Sequence, residues 1–144
     1  MANVIPFTFR GALFSGTHNF ASGGNTFKIA LYTGSIASVY TTASTTVSAT
    51  NEVSTGGSSN YTRKDLSSQA VASSTAVASV DFGDTTWTSA TFTAAYAAIY
   101  NDTAAGDPLV VVLDFGGDKT CTNGTFKITY PDPSTPANAI ISMS

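Results

Sequence analysis

The sequence has few charged residues. Asp, Glu, Lys and Arg make up 10% of the 144 residues, against about 25% in an average soluble domain. Six basic residues are scattered along the chain, and only Arg63 and Lys64 are adjacent. Nucleic-acid binding needs clustered basic groups that neutralise phosphates. We therefore expect no nucleic-acid partner.

Reactive side chains are equally scarce, because the chain contains one cysteine, Cys121, one histidine, His18, and one glutamate, Glu52. A single cysteine excludes an internal disulfide, and one Cys with one His cannot complete a zinc site of the usual kind. A Cys–His nucleophile pair would require the two to meet, which nothing in their surroundings favours. We expect no enzymatic activity, no metal and no cofactor.

Two Asp pairs flank Phe-Gly turns and leave an ion site open. Asp81 and Asp84 belong to DFGD, and Asp114 and Asp118 belong to DFGGD. Neither pair has the spacing of an EF-hand. Aspartate at turns commonly accepts hydrogen bonds from its own backbone, which is the simpler interpretation of both pairs.

Long apolar runs are also missing. The longest, 94–100 and 108–113, are far shorter than the roughly 20 residues that cross a bilayer as a helix. We expect no membrane partner. The first 14 residues lack the long apolar core of a secretory signal, so we expect the protein to be made in the cytoplasm of the producing cell.

The residues that are abundant favour β structure. Ser and Thr together number 41, hydrophobic residues make up 42%, and the aromatics comprise nine Phe, six Tyr and one Trp. Thr and aromatic side chains suit a pleated surface because of their branching and shape. A length of 144 residues fits one domain with a core of its own.

One short helix is predicted at about residues 5–15, where Ile5, Phe9 and Leu13 recur every fourth residue. Pro6 suits its start and Gly16 its end. The large apolar residues of this segment exceed what a free surface helix needs, so they cover either one end of the domain or a neighbouring molecule. The interface candidates are Phe7, Phe9, Leu13 and Phe14.

Strands are predicted along the rest of the chain, apart from a long Ser/Thr/Gly loop at about 35–60. In residues 27–32, Phe27, Ile29 and Leu31 alternate with Lys28, Ala30 and Tyr32. Further strands are predicted at 62–72, 75–82, 86–100, 108–115, 119–122, 125–130 and 137–144.

Two of these strands allow finer predictions. In the strand at 86–100, Phe92, Tyr96 and Tyr100 are predicted to share one face, and Ala95, Ala97 and Ile99 the other. Asn123-Gly124 suits a tight hairpin turn, because both central positions of that turn require positive φ.

The predicted fold is therefore mainly β, a single β-sandwich or jelly-roll-like domain spanning 1–144, with about seven or eight strands and one short N-terminal helix.

Several segments together resemble a family of small structural proteins of tailed bacteriophage particles. The matching segments are FRGALFSGTHNF, TFKIALYTG, the NEVST run leading to Tyr61, TWTSATFTAAYAAIYND, LVVVLDFGGDKTCTNGTFKITY and a short terminal strand. In sequence order they cover nearly the whole chain. The pattern is one of strands and turns, so it indicates related proteins better than it indicates their function.

The resemblance implies a virion component with a β fold. The first hypothesis is a capsid decoration or cement protein that binds the major capsid protein and forms a homotrimer. The alternative is a tail or neck component, including a receptor-binding tip. An enzyme such as a cell-wall hydrolase would need converging titratable groups, and the sequence does not contain them in a recognisable arrangement.

Overall fold

The described part of the chain folds into seven strands and one α-helix. The structure is a computed structural model, and it describes residues 2–34, 36, 38–74, 76–131 and 139–143. The elements are α1 (Phe7–Phe14), β1 (Phe27–Tyr32), a 3-10 turn at Gly57–Ser59, β2 (Lys64–Asp65), β3 (Ala70–Ser73), β4 (Ala78–Asp81), β5 (Thr85–Asn101), β6 (Leu109–Ile128) and β7 (Ile141–Met143).

The strands form two antiparallel sheets, which confirms the predicted fold class. The larger sheet has the order β2-β1-β5-β6, and the smaller has the order β3-β4-β7. The predicted strands at 62–72, 75–82 and 137–144 correspond to shorter elements, namely β2 with β3, β4, and β7. Residues 75, 137, 138 and 144 lie outside the described part of the chain.

Strand β1 has the predicted alternation. Phe27, Ile29 and Leu31 lie in the main core, which is enclosed by the larger sheet, the smaller sheet and α1. Ala30 and Tyr32 point to the opposite face and belong to a second, smaller core. Both faces of the larger sheet are therefore covered at β1.

The shared face predicted for Phe92, Tyr96 and Tyr100 is wrong. Phe92 lies in the main core, whereas Tyr96 and Tyr100 pack in the second core. The pairing of β5 with β6 is irregular between Ala94 and Tyr96, where residues 115–118 of β6 lie opposite the single residue Ala95 of β5. A bulge of this kind reverses the alternation of side chains beyond it, so a strict period of two fails across it.

The hairpin predicted at Asn123-Gly124 is also wrong. Strand β6 runs continuously from Leu109 to Ile128 and pairs with β5 over nearly its whole length. Asn123 does adopt a positive φ of 44°, but it uses this conformation in a bulge opposite Thr91, whose Oγ1 accepts the Asn123 N–H at 2.8 Å. The same backbone preference serves turns and bulges alike.

The long loop covers the second face of the larger sheet. Ile36 and Tyr40 from this loop are buried against Tyr32, Tyr100 and Val112. The loop also forms an isolated antiparallel β-bridge, in which Thr46 pairs with Pro108. A loop rich in small polar residues thus supplies a few large apolar side chains that complete the core.

Helix α1 is shorter at each end than predicted, and both of its ends are capped by backbone bonds. At its start the Phe7 N–H donates to the Thr42 carbonyl at 2.9 Å. At its end the Gly16 N–H donates to Leu13 O and the Thr17 N–H donates to Ala12 O, with Gly16 at a φ of 72°. This is a Schellman ending, for which glycine is preferred.

Candidate functional site

The four predicted interface residues divide between the core and the solvent. Phe9 is 2% exposed, and Leu13 packs partly buried against the same core. Phe7 is 52% exposed and Phe14 is 94% exposed. Phe9 and Leu13 share a helix face because they lie four residues apart, and that face turns inward. Helix α1 therefore closes one end of the domain and also presents free apolar side chains.

A groove lies beside β7, where α1 faces the smaller sheet. We call it the α1–β7 groove. It consists of two adjoining cavities of about 550 and 400 Å³. The apolar side chains that line it include Ile5, Phe9, Leu13, Val71, Val80, Ile141 and Met143. Its walls are largely hydrocarbon, and its one charged lining residue is Arg10.

Exposed large apolar residues gather around this groove. Val71, Met143 and Ile5 are 60%, 54% and 37% exposed and line it, and Phe14 adjoins Leu13 on α1. Clustered exposed apolar residues commonly mark interaction sites. Sequence reasoning identified Phe14 but missed Val71 and Met143, because only the tertiary fold brings β3 and β7 beside α1.

The backbone of β7 adds a second docking feature. β7 pairs with β4 on one side, and no other described strand pairs with its opposite edge. An edge strand of this kind presents free N–H and C=O groups to a partner strand. The larger sheet treats its own edge differently, because Val4 exchanges two backbone hydrogen bonds with Val112 of β6, at 2.8 and 2.9 Å.

His18 lies beside the groove and is buried. Its ring packs between Phe9 and Phe20, with centroid distances of 5.0 and 6.0 Å. The Nδ1 atom lies 3.1 Å from the amide nitrogen of Asn101. Burial lowers the pKa of His18. Sequence reasoning treated this residue as a loop histidine, because no local pattern predicts that it contacts Asn101, 83 residues later.

The first Asp pair is occupied by protein groups. Asp81 accepts the Phe82 N–H through Oδ1 at 2.9 Å. Asp84 accepts the Tyr130 N–H at 3.1 Å and lies 2.7 Å from the Lys127 ammonium. The Lys127 ammonium, together with the Tyr130 N–H, lowers the pKa of Asp84. These bonds fix the turn between β4 and β5.

The second Asp pair lies in an irregular part of β6. The Asp114 carboxylate accepts the Gly116 N–H at 2.8 Å, and this bond lowers the pKa of Asp114. Asp118 is exposed. Among the residues that the structure describes, no three His, Cys, Asp or Glu side chains gather as metal ligands would.

Cys121 and His18 lie in different parts of the fold. Cys121 is half-buried in β6, opposite Phe92, and lines a separate cavity of about 440 Å³ with Lys119 and Lys127. The described contacts of His18 are instead with aromatic rings and Asn101. Cys121 and His18 are therefore not placed as a nucleophile and its base.

Within the described ranges, no helix is long and apolar enough to cross a membrane. Comparison of the chain with protein-family models, with curated proteins and with solved structures found no match. The site therefore has to be interpreted from its own chemistry. That chemistry is an apolar groove, an edge strand that pairs on one side only among the described residues, and a rim of exposed hydrophobic side chains.

Proposed function

We propose that this protein is a non-catalytic structural component of a bacteriophage particle, attached to the head shell as a decoration protein. The observation that carries the proposal is the α1–β7 groove with its exposed apolar rim, in a chain with only 10% charged residues. The assignment to a phage particle rests on the sequence segments that resemble small phage structural proteins. A decoration protein needs a stable shape and apolar anchors rather than reactive groups.

The proposed partner is the major capsid protein. Phe14 and Met143 would enter apolar depressions of the shell, and a strand of the shell subunit would pair with the free edge of β7. Backbone pairing supplies affinity, and the side chains beside it supply specificity. We also propose a homotrimer, because a small protein that sits at threefold positions of a shell matches their symmetry.

Copy number in purified particles tests the location. The expected result is hundreds of copies per particle, measured by quantified bands on a stained gel against the shell protein. A handful of copies would overturn the head assignment and favour the alternative, a tail or neck component. Native mass measurement at micromolar concentration tests the trimer, and a monomer both in solution and on the particle would contradict it.

Charge introduced at Met143 in the groove, and at Phe14 beside it, tests the attachment surface. Phe14→Asp and Met143→Asp should abolish binding to particles stripped of this protein, because each buries a carboxylate without a partner. Thr122→Asp is the matched control, since Thr122 is exposed in the C-terminal half of β6 and does not line the groove. All three variants should keep the native melting temperature. Normal binding by both Phe14→Asp and Met143→Asp would refute this surface.

A further inference from the structure

The only histidine of the chain is buried among aromatic rings just after the end of α1. His18 is 8% exposed, and its ring lies 5.0, 6.0 and 6.3 Å from the rings of Phe9, Phe20 and Phe27. The ring thus joins α1, the following loop and β1. A change in its charge would affect all three elements at once.

The Asn101 amide favours one protonation state of this ring. The Asn101 Oδ1 accepts the N–H groups of Thr103 and Ala104, at 3.0 and 3.2 Å, so its NH₂ group faces His18. An NH₂ group only donates, so this contact favours an unprotonated Nδ1 on His18, which shares the two amide hydrogens with the Thr17 carbonyl and the Asn25 Oδ1. The remaining proton is on Nε2, which is buried and has no hydrogen-bond partner among the described residues.

The same amide ties down the loop that follows α1. The Asn101 Nδ2 also lies 3.2 Å from the Thr17 carbonyl and 3.0 Å from the Asn25 Oδ1. Asn101 is fully buried at the end of β5. The Asn101 side chain of the larger sheet thus contacts both ends of the 17–25 loop, and this loop follows α1.

The charged groups carried by the surrounding elements do not offset a charge on the ring. Arg10 of α1 is exposed. Lys28 of β1 lies 2.8 Å from Asp102, which follows β5. Asp81, at the end of β4, receives the Phe82 N–H. Burial is the cause that lowers the pKa of His18, and the 17–25 loop contains no charged residue.

We propose that His18 is an acid-sensitive latch, which holds α1 and the 17–25 loop on the sheet near neutral pH and releases them when it is protonated. A protonated Nδ1 would place one donor against the NH₂ of Asn101, and the ring would carry an uncompensated charge among three phenyl rings. Release would uncover Phe9 and widen the α1–β7 groove. The latch does not depend on the function proposed above.

The direction of the pH effect follows from linkage. The pKa of His18 is lower in the folded state than its ordinary value of 6.5, so the closed state is favoured fully above about pH 6.5. This preference declines as the pH falls below that value, because the released state binds the proton more tightly. At pH 5 the population of the released state can rise by at most about 30-fold, the limit when the closed state binds no proton.

Amide hydrogen exchange read by mass spectrometry tests the latch. After correction for intrinsic exchange, peptides covering 7–25 should exchange severalfold faster at pH 5 than at pH 7.5. Peptides from the buried half of β5 should not change. A His18→Phe variant keeps an apolar ring, and leaves the two hydrogens of Asn101 with Thr17 and Asn25 as acceptors. Its 7–25 peptides should exchange equally at both pH values.

Three outcomes would overturn the latch. One is unchanged protection of 7–25 in the native protein at pH 5. Another is an equal loss of protection in β5, which would indicate global unfolding. The third is an acid response retained in His18→Phe, which would assign it to a carboxyl group such as Asp81. Because the chain has one histidine, the imidazole signals in a proton NMR titration belong to His18, and they should titrate below the ordinary range.

Discussion

Arg63 and Glu52 form a bidentate ion pair that ties the long loop to the residues before β2. The Arg63 Nε lies 2.9 Å from Glu52 Oε1, and Nη2 lies 2.7 Å from Oε2. The guanidinium also lies over the Tyr100 ring at 5.3 Å, and the Tyr61 hydroxyl donates to Glu52 Oε1 at 2.8 Å. The hydrogen bonds to Glu52 raise the pKa of Arg63. The only glutamate of the chain is thus a structural residue.

Removal of this carboxylate should destabilise the fold. Glu52→Ala leaves the guanidinium partly buried without its partner, and we expect a loss of about 2 kcal/mol in the free energy of unfolding, since hydrogen bonds to charged groups contribute about 1.5–3 kcal/mol. Glu52→Gln keeps one acceptor oxygen and should lose less. Urea unfolding at neutral pH measures both values.

Asp65→Ala is the matched control for that experiment. Asp65 lies 3.9 Å from Lys28, and its side chain is 70% exposed. Exposed pairs contribute about 0–1 kcal/mol, so its loss should be small. If Glu52→Ala is no more destabilising than Asp65→Ala, the Arg63 pair does not hold the loop.

The two sides of α1 should respond differently to truncation. Phe9→Ala removes a buried ring and should cost about 3–5 kcal/mol of stability. Phe14→Ala removes a ring that is almost fully exposed, and its cost should stay within about 0.5 kcal/mol. Thermal unfolding compares the two. Equal losses would show that α1 does not divide into a core side and a free side.

Two glycines with open surroundings should respond in opposite directions to alanine. A Cβ at Gly11 or Gly116 would meet nothing within 4 Å, so sterics with neighbours do not decide. Gly11 is within α1, and Gly11→Ala should stabilise by about 0.5–1 kcal/mol. Gly116 has a φ of 72° in a bulge of β6, and Gly116→Ala should destabilise by about 1–2 kcal/mol. Melting curves that shift in the same direction for both would contradict this assignment.

Alkaline pH should destabilise the protein through its buried tyrosines. Burial raises the pKa of Tyr130 to about 12 and also raises the pKa of Tyr32, Tyr40 and Tyr61. Stability is therefore complete below the unfolded pKa of about 10 and falls as the pH rises above it. Absorbance at about 295 nm should show fewer ionised tyrosines in the native protein than in urea at about pH 11. Identical titrations in the two states would contradict the burial of these hydroxyls.

Attachment to the particle should resist salt. About 1 M salt shortens the screening length to roughly 3 Å and weakens exposed charge contacts, while apolar contacts persist. The protein should therefore stay on particles washed in such salt and leave them in moderate urea, which weakens apolar association. Sedimentation of washed particles measures this. Release by salt alone would favour an electrostatic contact through Lys64 or the Asp-containing turns over the α1–β7 groove.

The sequence alone determined the elements whose signals are local. The four-residue recurrence of Ile5, Phe9 and Leu13 predicted α1, and Gly16 predicted its end. The alternation in 27–32 predicted both faces of β1, because six consecutive residues without a bulge keep a period of two. Composition alone predicted a mainly β fold.

Tertiary structure decided what depends on distant partners. The bulges of β6 at 115–118 and at Asn123 occur where β6 contributes more residues than β5. The sequence of one strand does not show how many residues its partner contributes. Val71 and Met143 line one groove with Leu13 only because the fold places the smaller sheet, which contains β3 and β7, beside α1. The contact of His18 with Asn101 spans 83 residues. Local propensity acts over a few residues, whereas these arrangements require the chain to close on itself, so the candidate site was set by packing.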